Sequence, residues 1–425
     1  MPSRGQWVPI SFLFAGGTIN YMDRSALSVT APLVMKDLRL DTAQLGIIFS
    51  SFFAGYALFT LIGGYASDLF GPKRVFALSM SVWSTFCGLT AAAVGFSSLL
   101  IVRVLFGCGE GPFGAAANKM VSRWFPPHQI ATAIGIANAG TPIGGALAGT
   151  VARSLAVRYG WRTSFVVLAV IGLLWTLCWV LTVTDRPAVQ GQPDPKALKK
   201  EHRYLAAQRE NQVPLSFYLR QPTVIATGLS FFSYAYVLYF FLTWFPSYLT
   251  LSRQLDVSRM SLLNAIPWIF GTFGLLLSGL VCDLLFLIWP DLLAVRKLVL
   301  TVCLTLASIC VSLTGLVSSL SWAVALMAVT IFCVYLTGAM YWAIIQDVVR
   351  AEHVGAASGF VHLIANCAGI VGPALTGFIV RATGAFTSAF LLAGSVAFLG
   401  ALAVAVFVRR TNLERSPLVS EIRHP

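Results

Sequence analysis

The sequence predicts an all-α membrane protein with twelve transmembrane helices in two six-helix halves. Composition is the first reason, because 57% of the 425 residues are hydrophobic and only 11% are charged. A soluble protein carries roughly 25% charged residues. The second reason is that apolar runs of about 18 or more residues, each able to cross a bilayer as a helix, recur along the chain. The third is that short motifs of the first half recur in the second.

Charged or Gly/Pro-rich breaks divide the apolar sequence into twelve candidate spans. They fall at residues 7–34, 43–67, 74–95, 97–118, 129–157, 163–183, 222–250, 258–286, 296–317, 319–346, 354–381 and 385–408. One long polar stretch follows the sixth span. We therefore predict an N-terminal half at 1–183, a cytoplasmic central loop at 184–221, and a C-terminal half with a cytoplasmic tail at 222–425. Within the loop, residues 194–211 predict a short surface helix.

Three pairs of motifs relate the two halves. Each first-half motif and its second-half counterpart lie near 220 residues apart and in the same order: GYASD (64–68) and GLVCD (279–283), GALAG (145–149) and PALTG (373–377), GWRTSF (160–165) and GAFTSAF (384–390). This order indicates duplication of a six-span unit. Duplicated halves of this kind predict a substrate path between them.

Basic residues indicate how the chain crosses the membrane. A net charge of +13 would suggest a nucleic-acid partner in a soluble protein, but cytoplasmic loops of membrane proteins also collect Lys and Arg. With both termini in the cytoplasm, the inside loops hold 19 of the 29 Lys and Arg, the outside loops hold 8, and Arg24 and Arg103 lie inside spans. The three Arg between spans five and six run against this orientation. We predict a multi-pass protein with both termini in the cytoplasm and no nucleic-acid partner.

Several kinds of site are missing from the sequence pattern. The eight Cys fall almost entirely inside apolar runs and form no CxxC pair, so we expect small buried residues rather than a disulfide framework or a metal site. The sequence contains no Walker loop and no HExxH motif. We therefore predict no catalytic residue, no metal, no cofactor and no enzymatic activity.

Four charged side chains fall within the predicted spans of the first half: Asp23, Arg24, Arg103 and Glu110. Each charge near the bilayer centre costs roughly 2.5–3.5 kcal/mol on insertion scales. Because the four charges sum to zero, we expect them to face a shared wet cavity and to compensate one another. The alternative is a structural ion-pair cluster that fixes the register of the helices.

Spacing and chemistry suggest roles for these four residues. Arg103 and Glu110 are seven residues apart, so they share a helix face at a separation of about 10 Å. Asp23 and Arg24 are neighbours, and one can face the cavity while the other reaches a neighbouring helix. Arg binds carboxylates through its planar guanidinium, and burial favours the protonated form of an acid. Protonation of the acid would then free the Arg for a substrate carboxylate. The pattern predicts a proton-sensitive anion site, with Asp23 and Glu110 in proton coupling.

The stretch GGYASDLFGPKR (63–74) resembles the loop signature of the major facilitator superfamily, with Gly64, Asp68, Gly71 and Arg74 in place. The second-half copy keeps Gly279 and Asp283, then carries an insertion. The resemblance implies the major facilitator fold. It also implies that Asp68, Arg74 and Asp283 are gating contacts at helix ends rather than ligands.

Within the superfamily, the chain resembles the anion:cation symporter family. The matching stretches are NYMDRSALSVTAP, RVLFGCGEGPFGAAANKMVSRWFP, GWRTSF, FFLTWFPSYL and ANCAGIVGPALTGFIV. This family includes bacterial galactonate, glucarate and hexuronate transporters and the animal sialin and vesicular glutamate carriers. The resemblance implies a bacterial inner membrane location and a role for Tyr21, Arg24, Tyr56 and Glu110 at the substrate site. Packing alone is the other interpretation of Tyr56.

Three departures or additions complete the candidate substrate site. The related sugar-acid transporters often have a Gln near Thr141, so this chain departs from their pattern of hydroxyl recognition there. In the second half, Trp342 and Gln346 are four residues apart on one helix face, as are His362 and Asn366. The family usually has Asn at both of the latter positions, and His362 departs from that pattern. A hydrogen bond to a neighbouring helix is the other interpretation of His362.

These observations predict a proton-coupled secondary transporter that imports an organic monoanion by alternating access. A sugar acid is the first candidate, as an aldonate, uronate or aldarate. The side chains expected to bind it are Tyr21, Arg24, Tyr56, Arg103, Thr141, Trp342, Gln346, His362 and Asn366. The expected partners are the organic anion, protons and the lipid bilayer, and the chain is expected to be a monomer. Two alternatives stay open: an anion exchanger or facilitator for another carboxylate without proton coupling, and a membrane sensor that transports nothing.

Overall fold

The computed structural model describes residues 4–125, 127–185, 215–289, 291–349 and 351–409, and these residues form helices and no strands. The helices before residue 186 are α1 (Arg4–Leu38), α2 (Thr42–Phe70), α3 (Pro72–Leu89), α4 (Phe96–Glu110), α5 (Phe113–Trp124), α6 (Pro127–Asn138), α7 (Gly140–Tyr159) and α8 (Trp161–Thr182). Those after residue 214 are α9 (Leu215–Leu219), α10 (Pro222–Ser247), α11 (Val257–Ile288), α12 (Leu292–Leu316), α13 (Leu320–Thr337), α14 (Met340–Val348), α15 (Ala351–Thr383) and α16 (Thr387–Phe407).

Twelve segments of this bundle correspond to the twelve predicted spans. Ten of them are long and apolar enough to cross a membrane by length and composition. The other two are α1, which carries Asp23 and Arg24, and the glycine-rich pair α6–α7. The surface helix predicted at 194–211 lies outside the described residues, whereas the short helix α9 lies within the stretch predicted as a loop.

Three spans that the sequence predicts as single helices are each built from two helices, α4–α5, α6–α7 and α13–α14. The first break follows Glu110, at Gly111 and Pro112, where proline has no N–H to continue the helical hydrogen bonds. The other breaks lie at Ala139 and at Gly338–Ala339. Hydropathy continues across all three breaks, so it could not reveal them.

Local sequence signals explain several helix boundaries. Asp41 caps α2 by accepting a hydrogen bond from the backbone N–H of Gln44, whose side chain accepts one from the backbone N–H of Asp41. Asp256 caps α11 by accepting from the backbone N–H groups of its first turn, and Pro222 occupies the first turn of α10. Gly71 joins α2 to α3 with a φ of 85°, a conformation that favours glycine.

The two halves contact each other at one end of the bundle, where α1 ends and α2 begins; we call it the Asp41 end. There α2 packs against α15 so closely that a Cβ atom on Gly46 would lie 2.6 Å from the carbonyl oxygen of Pro373. Arg381 forms an ion pair with Asp41 at 3.4 Å across the same contact. At the same end of the bundle, a second contact joins the halves: Arg153 on α7 donates a hydrogen bond to Ser258 on α11. These contacts close the space between the halves at the Asp41 end.

Candidate functional site

A buried ion pair joins α1 to α4 inside the first half. The guanidinium of Arg24 donates a hydrogen bond to the carboxylate of Glu110, the last residue of α4. The two residues are 6% and 0% exposed, so neither charge is solvated as it would be in water. In the described part of the chain, Nε of Arg24 and Oε2 of Glu110 have no hydrogen-bond partner. Each member of the pair therefore keeps hydrogen-bonding capacity for a third group.

Aromatic rings surround the guanidinium of Arg24. The centroids of the Tyr21, Phe52, Phe53 and Tyr56 rings lie between 4.9 and 5.8 Å from its central carbon. Ring faces attract cations electrostatically, and the attraction grows when water is excluded. Two of these four rings, Tyr21 and Tyr56, are residues that the sequence analysis assigned to the substrate site. The structure brings both to Arg24.

Asp23 faces away from the ion pair, toward α3. Its Oδ2 accepts a hydrogen bond of 3.1 Å from the indole N–H of Trp83, and its side chain is fully buried. The sequence pattern already allowed the neighbours Asp23 and Arg24 to point in different directions. Because successive helix residues point about 100° apart, the structure gives them different partners. The acid paired with Arg24 is Glu110.

Arg103 lies beneath this site on the buried face of α4 that it shares with Glu110. Its guanidinium carbon stands 4.5 Å from the centroid of Phe106 and 5.3 Å from that of Phe52. Phe52 therefore contacts both Arg103 and Arg24. Within the described residues, Nε and Nη1 of Arg103 have no hydrogen-bond partner. Arg24, Glu110 and Arg103 thus lie together around Phe52, while Asp23 contacts Trp83 on α3.

Residues of the second half reach this cluster through α10 and α11. The Tyr239 ring packs 4.2 Å from Phe53, and its hydroxyl donates to Oδ1 of Asn366 at 3.5 Å. The Trp268 ring meets Tyr21 edge-on at 5.9 Å. Sequence reasoning missed Tyr239, Trp268 and Phe52. Their signal, several aromatic residues within buried helices, is equally typical of packing.

The remaining second-half candidates form an aromatic cluster with Phe231. The His362 ring lies 5.3 Å from Trp342 and 5.9 Å from Phe231, which itself stacks on Tyr341 at 4.4 Å. Asn366, one turn after His362, is buried. Gln346, one turn after Trp342, is exposed. The structure therefore joins Trp342 and His362 and places Gln346 on an accessible surface.

Comparison with known proteins identifies the family of this arrangement. Residues 13–350 and 284–424 match the sequence model of the Major Facilitator Superfamily. The chain belongs to this superfamily. It is 49% identical over 411 residues to a hexuronate transporter of Bacillus subtilis, with 96% of both chains covered. It is 30% identical to a probable L-galactonate transporter of Escherichia coli, covering 96% of this chain and 90% of that one.

Solved structures show the same fold. A D-xylose–proton symporter matches with a TM-score of 0.76 at 16% identity, covering 94% of this chain and 97% of that one. A bacterial homologue of the human lysosomal transporter Spinster matches with a TM-score of 0.74 at 20% identity, covering 96% and 97%. The predicted major facilitator fold and the predicted anion:cation symporter family are confirmed. The relatives and the fold are those of transporters and not of enzymes.

The signature loop of this superfamily member lies at the opposite end of the bundle from Asp41. Asp68 forms an ion pair of 2.6 Å with Lys119 on α5, and Arg74 is exposed at the start of α3. Asp185, after α8, accepts a hydrogen bond of 2.9 Å from the backbone N–H of Lys73. No residue of the C-terminal half takes part in these contacts. The side chain of Asp283 lies outside the described residues.

Thr141 occupies the first turn of α7, beside the break in the fifth span. Its hydroxyl donates to the carbonyl oxygen of Asn138 at 2.9 Å, and its methyl group lies next to Gly17 on α1. In this conformation the hydroxyl satisfies the backbone at the break. The described residues contain no cluster of three or more His, Cys, Asp or Glu side chains that could bind a metal ion.

Proposed function

We propose that this chain is a secondary transporter that moves a sugar acid, first of all a hexuronate, across the membrane together with protons. The buried pair of Arg24 and Glu110 is the observation that carries the proposal. A relative with 49% identity across nearly the whole chain is named a hexuronate transporter, which supports this substrate class. The halves of the major facilitator fold supply the two bodies that alternating access requires.

The substrate carboxylate competes with Glu110 for Arg24. A guanidinium keeps its charge and offers parallel N–H groups to a carboxylate, so Arg24 suits either partner. When Glu110 takes up a proton, its negative charge disappears and the pair weakens. Arg24 is then available to the substrate. This assigns the release of Arg24 to Glu110, the acid with which it pairs.

The free-energy cost of an unpaired buried charge couples binding of the substrate anion to binding of a proton. The empty site is neutral when Arg24 pairs with Glu110, and the loaded site is neutral when Arg24 pairs with the substrate and Glu110 is protonated. A site with only one of the two ligands leaves an unpaired charge, which costs roughly 2.5–3.5 kcal/mol at membrane depth. The favoured states are therefore empty or doubly loaded, as symport requires. Asp23 serves as a second proton site in this proposal.

The second half recognises the rest of the substrate. The rings of Trp342, His362 and Phe231 offer apolar faces that suit the C–H face of a cyclic sugar. Asn366 and Tyr239 offer amide and hydroxyl groups to the sugar hydroxyls. Hexuronates form six-membered rings, whereas aldonates and aldarates are chiefly open chains in neutral water. The aromatic cluster thus favours a uronate among the three sugar-acid classes.

The orientation of the chain completes the proposal. We place both termini in the cytoplasm of a bacterial inner membrane, on the basis of the Lys and Arg distribution. The contacts at the Asp41 end then close the outer side, and Asp68 with Arg74 and Asp283 act at the cytoplasmic side. The functional unit is a monomer of two halves, 1–183 and 222–425, joined by the loop 184–221.

Uptake into liposomes tests the proposal. Purified protein is reconstituted, and accumulation of radiolabelled D-glucuronate is measured with and without a pH gradient, acidic outside the vesicle. We expect accumulation above equilibrium only with the gradient, and competition by unlabelled D-galacturonate. Counterflow exchange without pH-driven accumulation would instead indicate an exchanger or facilitator. Absence of transport, binding and competition by glucuronate, galactonate and glucarate alike would refute sugar-acid transport.

A further inference from the structure

We propose that Trp83 is a positioning residue for the carboxyl group of Asp23, and that its indole N–H sets the pH at which Asp23 takes up a proton. This inference rests on the proposed proton coupling. The Nε1 of Trp83 lies 3.1 Å from Oδ2 of Asp23, and both side chains are fully buried. Indole nitrogen is a donor only. It therefore stabilises the negative carboxylate more than the neutral acid.

Among the described residues, Trp83 is the single hydrogen-bond donor to the Asp23 carboxyl group, because Oδ1 of Asp23 has no partner. The titratable and charged groups of the surrounding helices that interact electrostatically with Asp23 are Cys87 on α3 and Arg103 and Glu110 on α4. Arg103 and Glu110 carry opposite charges. With opposed charges around it, the carboxylate depends on its hydrogen-bond donor.

The position of Trp83 is fixed by contacts between α3 and the broken fourth span. Its ring meets Phe113 edge-on at 5.6 Å. A Cβ atom on Gly109 would lie 2.7 Å from the backbone nitrogen of Trp83, so the two helices touch there. One turn earlier, Ser79 donates a hydrogen bond of 2.6 Å to the carbonyl oxygen of Gly109, the residue before Glu110. The helix that carries Trp83 is therefore held against the segment that carries Glu110, the other acid of the proposed proton path.

Replacement of Trp83 by Phe tests the role of the N–H, since it keeps an aromatic ring and removes the donor. We expect the pH of half-maximal D-glucuronate uptake to move upward by about one pH unit, because the carboxylate loses a charge-assisted hydrogen bond. The matched control is Trp175→Phe. Trp175 is also a buried tryptophan of the first half, but its Nε1 has no partner among the described residues, so its pH profile should match wild type.

A second measurement observes the indole N–H groups directly and does not depend on the folding of Trp83→Phe. In protein labelled with ¹⁵N at the indole, one N–H resonance should titrate at the pH midpoint of uptake and lose that titration in Asp23→Asn. A wild-type pH profile in a folded Trp83→Phe protein, or no indole resonance that titrates with Asp23, would overturn the inference. Wild-type uptake that does not change with pH would instead overturn proton coupling itself.

Discussion

Arg24 forms its buried ion pair with Glu110, 86 residues away, and not with its neighbour Asp23. The pair connects the middle of α1 to the end of α4, at the point where the fourth span breaks. A change in the protonation of Glu110 therefore acts at a contact between two helices. Removing one partner of a buried pair typically costs about 3–5 kcal/mol. Loss of this pair would accordingly remove a side-chain link between α1 and α4.

Anion capture should depend on Arg24. Lys keeps the charge but lacks the planar pair of N–H groups, so Arg24→Lys should weaken D-glucuronate binding by at least about tenfold, equivalent to roughly 1.4 kcal/mol. Isothermal titration of purified protein checks this. Arg103→Lys is the matched comparison, because Arg103 stacks on Phe106 and has no ion-pair partner within 4.0 Å among the described residues. Normal binding by folded Arg24→Ala and Arg103→Ala proteins would contradict a carboxylate contact at either arginine.

Proton coupling should depend on the two buried acids. Glu110→Gln and Asp23→Asn should each abolish pH-driven accumulation, because an amide cannot carry a transported proton. At least one of them should still catalyse counterflow, since the neutral amide resembles the protonated acid. The two assays are run on the same proteoliposomes. Accumulation by both variants at the wild-type level would move the protons to other residues.

Hydroxyl recognition should depend on Asn366. Buried polar groups left without a partner are costly, so Asn366→Ala should weaken D-glucuronate binding by about 1–3 kcal/mol. The same substitution should weaken the binding of a deoxy analogue that lacks the contacted hydroxyl by a smaller amount. Tyr239→Phe is the companion variant, because the Tyr239 hydroxyl donates to Asn366. Equal losses for the parent sugar acid and every deoxy analogue would argue against a hydroxyl contact.

Substrate preference should depend on His362. The His362 ring packs against Trp342 and Phe231, so His362→Asn removes one aromatic face and adds an amide. We expect competition by open-chain galactonate and glucarate to rise relative to glucuronate, with no movement of the pH profile. Competition assays with a panel of sugar acids at several pH values measure both the substrate preference and the pH profile. An unchanged panel with a shifted pH profile would place His362 in the proton path.

Closure at the Asp41 end should depend on Gly46. Its missing side chain allows α2 to approach the Pro373 carbonyl, and a methyl group there would come within 2.6 Å of that oxygen. Gly46→Ala should therefore slow transport several-fold. Gly114→Ala is the matched control, because nothing lies within 4 Å of a Cβ at that position. Equal rates for the two variants would show that the contact does not limit the transport cycle.

Local sequence properties predicted much of this molecule. Hydropathy is a property of each segment, so the twelve spans could be found without knowing their neighbours. Charge inside an apolar run is equally local, and all four charged residues of the first half are buried there. The loop motif at 63–74 likewise indicated the superfamily to which the chain belongs. The assignment of Tyr21 and Tyr56 came from the resemblance to the symporter family, and both rings contact Arg24.

Relationships between helices could not be predicted in this way. The partner of Arg24 depends on how α1 and α4 are rotated, and neighbouring residues compete for it only if both face the same way. The break near Gly338 arises in continuous apolar sequence. The break after Glu110 falls at Gly111 and Pro112, a local signal that hydropathy does not contain. No local feature of the sequence marks Trp83, because its hydrogen bond to Asp23 exists only after two helices meet.

The four intramembrane charges lie in one half of the molecule, while the aromatic cluster around His362 lies in the other. In the proposed mechanism, proton coupling and recognition of the sugar ring are consequently carried by separate parts of the chain. A lineage with this layout can acquire a new nutrient through substitutions in the second half, while the machinery that extracts work from the proton gradient stays intact. Such carriers can then differ in substrate while they keep the same proton-coupling residues.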